Sequence, residues 1–202
     1  MAVTTIPSAG ITNATIATAD IADGAVSNTK LENSSITLNG SAVSLGGSAT
    51  IGGGKIGQVI QTVKTDVFST TSSSLVDVTG LTATITPSAT DSKVLVTLNL
   101  NIGASDNNTT ALFRDSTQIA LGDASGSRSR SFTSSAYINV TVQMPSNTTF
   151  LDSPNTTSAT TYKIQTGAVG GGTTYFGRGA TDGDNAQHAR TINVITLMEV
   201  LA

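Results

Sequence analysis

The sequence predicts an all-β protein in two parts. A short trimeric β-helical shaft on a five-residue repeat comes first, followed by a β-sandwich or jelly-roll-like head. Three observations carry this. Large aliphatic residues recur every five positions from Ile6 to Ile36. After Lys55, segment after segment alternates apolar and polar residues with period two. Charged residues make up only 11% of the 202, less than half the usual share of about 25%. Ser, Thr, Asn and Gly must then supply the polar surface, and these residues favour strands and turns over helices.

The leader is the most regular stretch. Ile6, Ile11, Ile16, Ile21, Val26, Leu31 and Ile36 stand five apart, a spacing that matches neither the 3.6 of a helix nor the 2.0 of a strand. Two residues before each stands a small one: Thr4, Ala9, Ala14, Ala19, Gly24, Thr29 and Ser34. Small then large, every five residues, is the pattern of a square pentapeptide-repeat coil in which both residues point inward. A four-sided coil takes about twenty residues, so the leader makes under two coils, and repeat stacks need about three units. One copy cannot bury its own ladder. Three copies wound about a common axis can, because each aliphatic row then faces the other two chains.

Next comes "ITLNGSAVSLGGSATIGGG". Ile36 and Leu38, then Val43 and Leu45, flank an Asn-Gly hairpin signal. A short strand, "SATI", is expected after it, and three glycines at 52–54 mark a junction. The domains expected are 1–36, the repeat shaft; 37–54, the hairpin and glycine-rich junction; and 55–202, the head.

In the head, "SKVLVTLNLNIG" places Val94, Val96, Leu98, Leu100 and Ile102 on one face. "AYINVTVQM" does the same with Ile138, Val140, Val142 and Met144, and "TTYKIQTG" with Tyr162 and Ile164. "RTINVITLMEVLA" is apolar on both faces, as a central or interface strand is. Further strands are expected at "IGQVIQTV", "LVDVT", "LTATI", "TALFRD", "QIALG" and "TTYFGR". Many short strands separated by turn clusters point to a sandwich or jelly roll.

Several functions are disfavoured. Net charge is −3 and the ten basic residues are scattered, so there is no cationic stripe for nucleic acid. There is no cysteine, hence no disulfide and no thiolate metal site. The opening "MAVTTIPSAG" lacks the charged and apolar regions of a signal peptide. No apolar run reaches the ~18 residues of a membrane span, so no membrane insertion is expected.

The strings "KIGQVIQTVKTDVFSTTSSSLVDVTGLTATITPSATDSKVLVTLNLNIG", "FLDSPNTTSATTYKIQTG" and "RTINVITLMEV" resemble tail-fibre-like virion proteins of tailed bacteriophages, of the marine or cyanobacterial type. The leader resembles the shaft segment that precedes such heads. The resemblance spans residues 6–202. It implies a homotrimer with a slender shaft and a β-sandwich head that meets the host surface. Unlike the longer fibres, this chain is expected to attach to another virion protein through its first residues or shaft. That leaves open a place on the tail or on the capsid, as a decoration or head-fibre protein. Synthesis in the host cytoplasm and a final location in the virion follow.

The expected function is therefore structural and adhesive, without covalent chemistry or cofactor: a head that binds a host surface polysaccharide or lipopolysaccharide. Candidate receptor-binding residues fall in four places. "GSRSRS" alternates Arg128 and Arg130, which share a face in an extended strand. They either pair with Asp123, Asp115 or a neighbouring subunit, or meet an acidic sugar or lipopolysaccharide phosphate. "GGGTTYFGRGATDGDN" sets Tyr175, Phe176 and Arg178 between glycine loops, as a contact surface or as core. "TDGDN" brings Asp182, Asp184 and Asn185 into a plain turn or a calcium-ligating loop without the completing Glu. Asn107 and Asn108 mark a further loop.

His188 is the only histidine. It reads as a surface or interface residue, or as one of three converging on a metal in a trimer. No Gly-x-Ser-x-Gly elbow accompanies it. A polysaccharide depolymerase needs two carboxylates about 5–10 Å apart in a groove. It is the alternative activity.

Overall fold

The computed structural model describes residues 17, 19, 21–27, 30–33, 35–38, 41–48, 55–135 and 141–201. The chain is all-β and divides into two compact units, Met1–Gly53 and Gly54–Ala202.

In the first unit, β1 (Ser35–Leu38) pairs antiparallel with β2 (Ser41–Ser44). Leu38 opposes Ser41, so the connection is the two residues of the Asn-Gly signal. Ile6, Ile11 and Ile16 lie outside the described residues, as do residues 49–51 of the expected "SATI" strand and the glycines at 52–54. Four rungs of the ladder are described, and all are open to solvent in a single chain: Ile21 44%, Val26 49%, Leu31 39% and Ile36 50%. The backbone around them repeats with the side chains. Ala25 N–H donates to the Ala22 carbonyl at 2.9 Å, and five residues on Lys30 N–H donates to Ser27 at 2.9 Å.

The second unit contains β3 (Ile56–Lys64), β4 (Phe68–Thr70), β5 (Val76–Ile85), β6 (Lys93–Ala104), β7 (Asn108–Arg114), β8 (Thr117–Ile119), β9 (Thr133–Ser135), β10 (Met144–Asp152), β11 (Thr160–Ala168), β12 (Thr174–Phe176) and β13 (Asn193–Val200). They form two sheets. In one, β6 is central. β10 runs along one side of it, and β13 and β12 follow one another along the other side. Beyond those lie β3 and β4. In the other sheet, β5, β11 and β7 lie in order, and β8 and β9 share the far edge of β7.

Strand alternation sends one side of each sheet inward. Val94, Val96, Leu98, Leu100 and Ile102 of β6, with Ile195, Leu197 and Phe176, come from the first sheet. Val78, Leu81, Ile85, Leu112, Tyr162 and Ile164 come from the second. Together they make one core. Phe176 meets Phe68 edge-on, with ring centroids 6.1 Å apart.

The structure corrects several sequence expectations. "LVDVT" and "LTATI" are one strand, β5, bent at Gly80 with φ +82°, where the register against β11 slips. No strand covers 125–131, so Arg128 and Arg130 stand in a loop. The stretch centred on "AYINVTVQM" is displaced. Ile138 and Val140 lie outside the described residues, Val142 is exposed and non-strand, and the strand begins at Met144. That strand, β10, opens Met-Pro-Ser-Asn-Thr-Thr, a turn-like composition. It is held as a strand by pairing with β6 from Ile102 to Val94. Among the described residues it pairs only with β6, and an edge strand tolerates Pro145.

Polar side chains close the core at its margins. Tyr162 Oη donates to Asp152 Oδ2 at 2.6 Å, and Arg114 Nη1 donates to both oxygens of the same carboxylate at 3.0 and 2.8 Å. Burial and the Asp152 carboxylate hold the Tyr162 phenol far above its ordinary pKa. Glu199 is buried without a cation. Its Oε1 accepts from the Ser88 N–H and hydroxyl, both at 2.6 Å, and its Oε2 accepts from Gln58 Nε2 at 2.9 Å. Burial pushes its pKa up, but these donors outweigh burial and hold it below the usual carboxylate value.

A folded-state pKa below the unfolded one stabilises above the unfolded value of about 4.3 and fades as pH falls through the folded one. Glu199→Gln turns an acceptor into a donor facing Ser88 or Gln58. It should cost about 1–3 kcal/mol at neutral pH. The gap to wild type in urea denaturation should narrow as pH drops below the carboxylate range.

Candidate functional site

The candidate residues gather in two places on the second unit. The first is a groove of about 390 Å³ lined by Ser73, Leu75, Thr109, Ala111, Gln118, Leu121, Ser129, Arg130 and Ser131. Thr109 and Ala111 are there because β7 alternates. Asn108, Thr110 and Leu112 turn to the core side, so their neighbours face out. The opposite wall is the loop at 120–131, which cross-links itself. Arg130 Nε donates to the Gly122 carbonyl at 2.6 Å, and Gln118 Nε2 donates to the Arg130 carbonyl at 2.7 Å. Phe132 N–H donates to the Thr110 carbonyl at 3.0 Å and pins the loop's end to β7. Ala120, with φ +52°, turns the chain into this loop.

Among the described residues neither Arg128 nor Arg130 forms an ion pair. Arg128 Nη1 donates instead to Ser125 Oγ at 2.7 Å, and Asp115 is taken by the Thr161 N–H at 2.9 Å. Pairing of the two arginines with Asp115 or Asp123 within the chain is thereby set aside. A second depression of about 250 Å³ adjoins the groove and shares Thr109, Ser129 and Ser131 with it. It adds Asn107, Asn108, Ser134 and Val169. Asn107 is exposed and its carbonyl accepts the Val169 N–H at 2.9 Å. Asn108 is buried, and among the described residues neither side-chain polar atom has a partner. It is a core-side residue, not a freely offered one.

The second place is the turn after β12. The Arg178 guanidinium lies 4.1 Å from the centre of the Tyr175 ring. Its Nη1 also stands 3.6 Å from Asp182 Oδ2, and Arg190 Nη2 reaches the same carboxylate at 2.7 Å. His188 Nδ1 stands 2.7 Å from the Gly183 nitrogen and 3.0 Å from the Gly183 carbonyl oxygen, accepting from the first or donating to the second according to its tautomer. Asp182, Gly183, Asp184, Asn185, His188 and Arg190 line an open depression of about 320 Å³. Gly103 makes room for this turn, since a Cβ there would stand 2.4 Å from the Arg178 carbonyl oxygen.

Phe176, offered from sequence as a surface contact, is fully buried in the core. Its neighbour Tyr175 faces the other way, as adjacent strand residues must. Asp182 is paired with two arginines, and His188 is held at Nδ1 by the backbone of Gly183. Among the described residues no three His, Cys, Asp or Glu side chains cluster as a metal site.

The structure thus unites Arg130 with Asn107, and Tyr175 and Arg178 with Asp182, Asp184 and His188. Sequence reasoning missed Gln118, Thr109, Ser129 and Ser131, whose residue types are too common in this chain to stand out. Comparisons with protein-family models and with curated proteins yield no match to this chain.

The turn and its seat should respond differently to mutation. Gly103→Ala forces the Arg178–Gly179 backbone off β6 and should cost about 1–3 kcal/mol. Asp182→Asn breaks only a solvent-accessible ion cluster and should cost less than about 1 kcal/mol. Urea denaturation of the two variants beside the parent measures both.

Proposed function

We propose that this chain is a virion fibre or spike protein of a tailed bacteriophage, a homotrimer whose head binds a host surface glycan without cleaving it. The observation that carries the reading is an aliphatic ladder left open in a single chain, joined to a head with its own closed core. The head can bury itself, whereas the ladder needs other copies. The five-residue recurrence of the turn hydrogen bonds at Ala25 and Lys30 supports a repeating β-helical shaft over a structureless leader.

Strand order supports a jelly roll. With β3, β5, β6, β7, β9, β10, β11 and β13 counted in chain order, one row runs first, eighth, third, sixth. The other runs second, seventh, fourth, fifth. Paired Greek keys produce this order, and viral capsid and lectin domains use it, which is an analogy of fold only.

The groove beside Arg130 suits a sugar carrying carboxylate or phosphate. Leu75 and Leu121 offer apolar contact, Thr109, Gln118 and the serines offer hydrogen bonds, and the guanidinium offers a planar fork. Three such sites on one particle gain avidity from effective concentration.

Purified protein should compete with phage adsorption to host cells. Arg130→Ala should weaken binding to host polysaccharide about tenfold or more, as loss of a charge-assisted hydrogen bond does. Equal competition by the variant would remove the groove from the account. New reducing ends released from the polysaccharide would make the protein a depolymerase instead. Immunogold labelling of virions separates a tail location from a capsid one.

The shaft has its own test. Ile21→Asp with Val26→Asp puts unpaired charge where burial is required. Native mass measurement should show assembly weakened while the head's melting transition persists.

A further inference from the structure

The two outer faces of the head differ in chemistry. The sheet of β5, β11 and β7 turns threonines and the Lys163–Asp77 ion pair, 3.0 Å, to solvent. On the other sheet the registers oppose Val59 to Met198, Met198 to Leu95, and Leu95 to Leu151. One apolar row therefore crosses β3, β13, β6 and β10 without a break. Two residues along, Gln61, Thr196, Thr97 and Thr149 form a neutral row, with Gln61 Nε2 donating to Thr196 Oγ1 at 2.9 Å. Two further on stand Val63, Val194, Asn99 and Asn147. These three rows hold no charged residue. Val59, Val63 and Leu151 are 57%, 45% and 46% exposed in the single chain.

We infer that this face is where the heads of neighbouring copies of the chain meet. The inference rests on the homotrimer reading and goes beyond it, since that reading needs contact only along the leader. Three features choose a second copy as the occupant. Three rows without charge, with Lys93 standing at their border, bring no like charges together at the middle of the face and offer little to steer a charged partner. Half of its twelve side chains are short neutral amides and hydroxyls, and Gln61 and Thr196 are already paired with each other, as at the polar part of a protein–protein interface. Its extent is adequate once the flanking Val200–Lys93 row is included: four strands ~4.8 Å apart and about nine residues long span roughly 600 Å², against the ~800 Å² per partner of a stable interface. The sequence signature is β13 itself, apolar on both sides: Ile195 and Leu197 fill the core, while on the outer side Val194 and Thr196 are covered within one chain and Met198 and Val200 stay part-exposed beside Val59 and Leu151.

The chain has no cysteine, so a single introduced thiol reports its own surroundings. Val59→Cys and Leu151→Cys sit on the proposed interface, and Thr79→Cys, exposed on β5, is the control. In the full-length oligomer, maleimide should label the Val59→Cys and Leu151→Cys variants at least ~10-fold more slowly than the Thr79→Cys variant, with the three rates converging on dilution to monomers. Val59→Glu with Leu151→Glu should lower the native mass while the monomer still folds, because both positions are open to solvent in one chain. If the parent is an oligomer and the Val59→Cys variant reacts as fast as the Thr79→Cys control, the copies join elsewhere. This inference then fails while the trimer reading stands. A parent that is monomeric by native mass overturns both.

Discussion

The head depends on the closing of two sheets over one set of inward side chains. Five residues of β6, from Val94 to Ile102, go in at every second position and meet Leu81, Ile85, Leu112, Tyr162 and Ile164 from the facing sheet. Each large aliphatic buried this way contributes about 1.5–3 kcal/mol, which is the main term holding a chain with so few charges. Period two then leaves the alternate positions of the same strands facing outward. Whatever the head does beyond folding must be written on those outward positions and on the loops.

The polar groups inside the head reinforce the same alignment. Asp152 ends β10 and takes hydrogen bonds from Tyr162 on β11 and Arg114 on β7, so one carboxylate ties strands of both sheets. Near the end of β13, Glu199 is held by Gln58 of β3 and by Ser88 in the connection between β5 and β6. A one-residue slip of β13 or β10 would carry these carboxylates to the wrong face and strand their donors. They contribute specificity of register as well as stability.

Much of this was legible in the sequence wherever pattern alone decides. β6, β11 and β13 announce themselves by alternation, and Asn-Gly announces the hairpin between Leu38 and Ser41. β10 did not, because Pro145, Ser146, Asn147 and Thr148 are turn residues until β6 supplies a partner along their whole length. The bend at Gly80 looked like the gap between two strands, since a sequence does not distinguish a bulge from a turn. The orientation of the Tyr175–Phe176 pair was undecidable until the register of β12 set Phe176 against Phe68. The groove was hidden for a different reason. Thr109, Gln118 and Arg130 come from separate segments, and only the loop's own hydrogen bonds bring them together.

The two units solve the burial problem at different levels. The head closes its core within one chain, so its outer faces are free to differ: one is hydroxylated and carries an ion pair, the other is neutral and crossed by an apolar row. The described rungs of the leader stand in solvent when the chain is alone. From Ile21 to Ile36 an apolar residue at every fifth position, with turn hydrogen bonds at Ala25 and Lys30 five apart, is costly to keep in water. A chain whose head closes its own core while the described rungs of its leader stay open is the reason the proposed function places assembly, more than any single side chain, at its centre. On that proposal a groove that holds one sugar weakly gains effect when several copies present their grooves together.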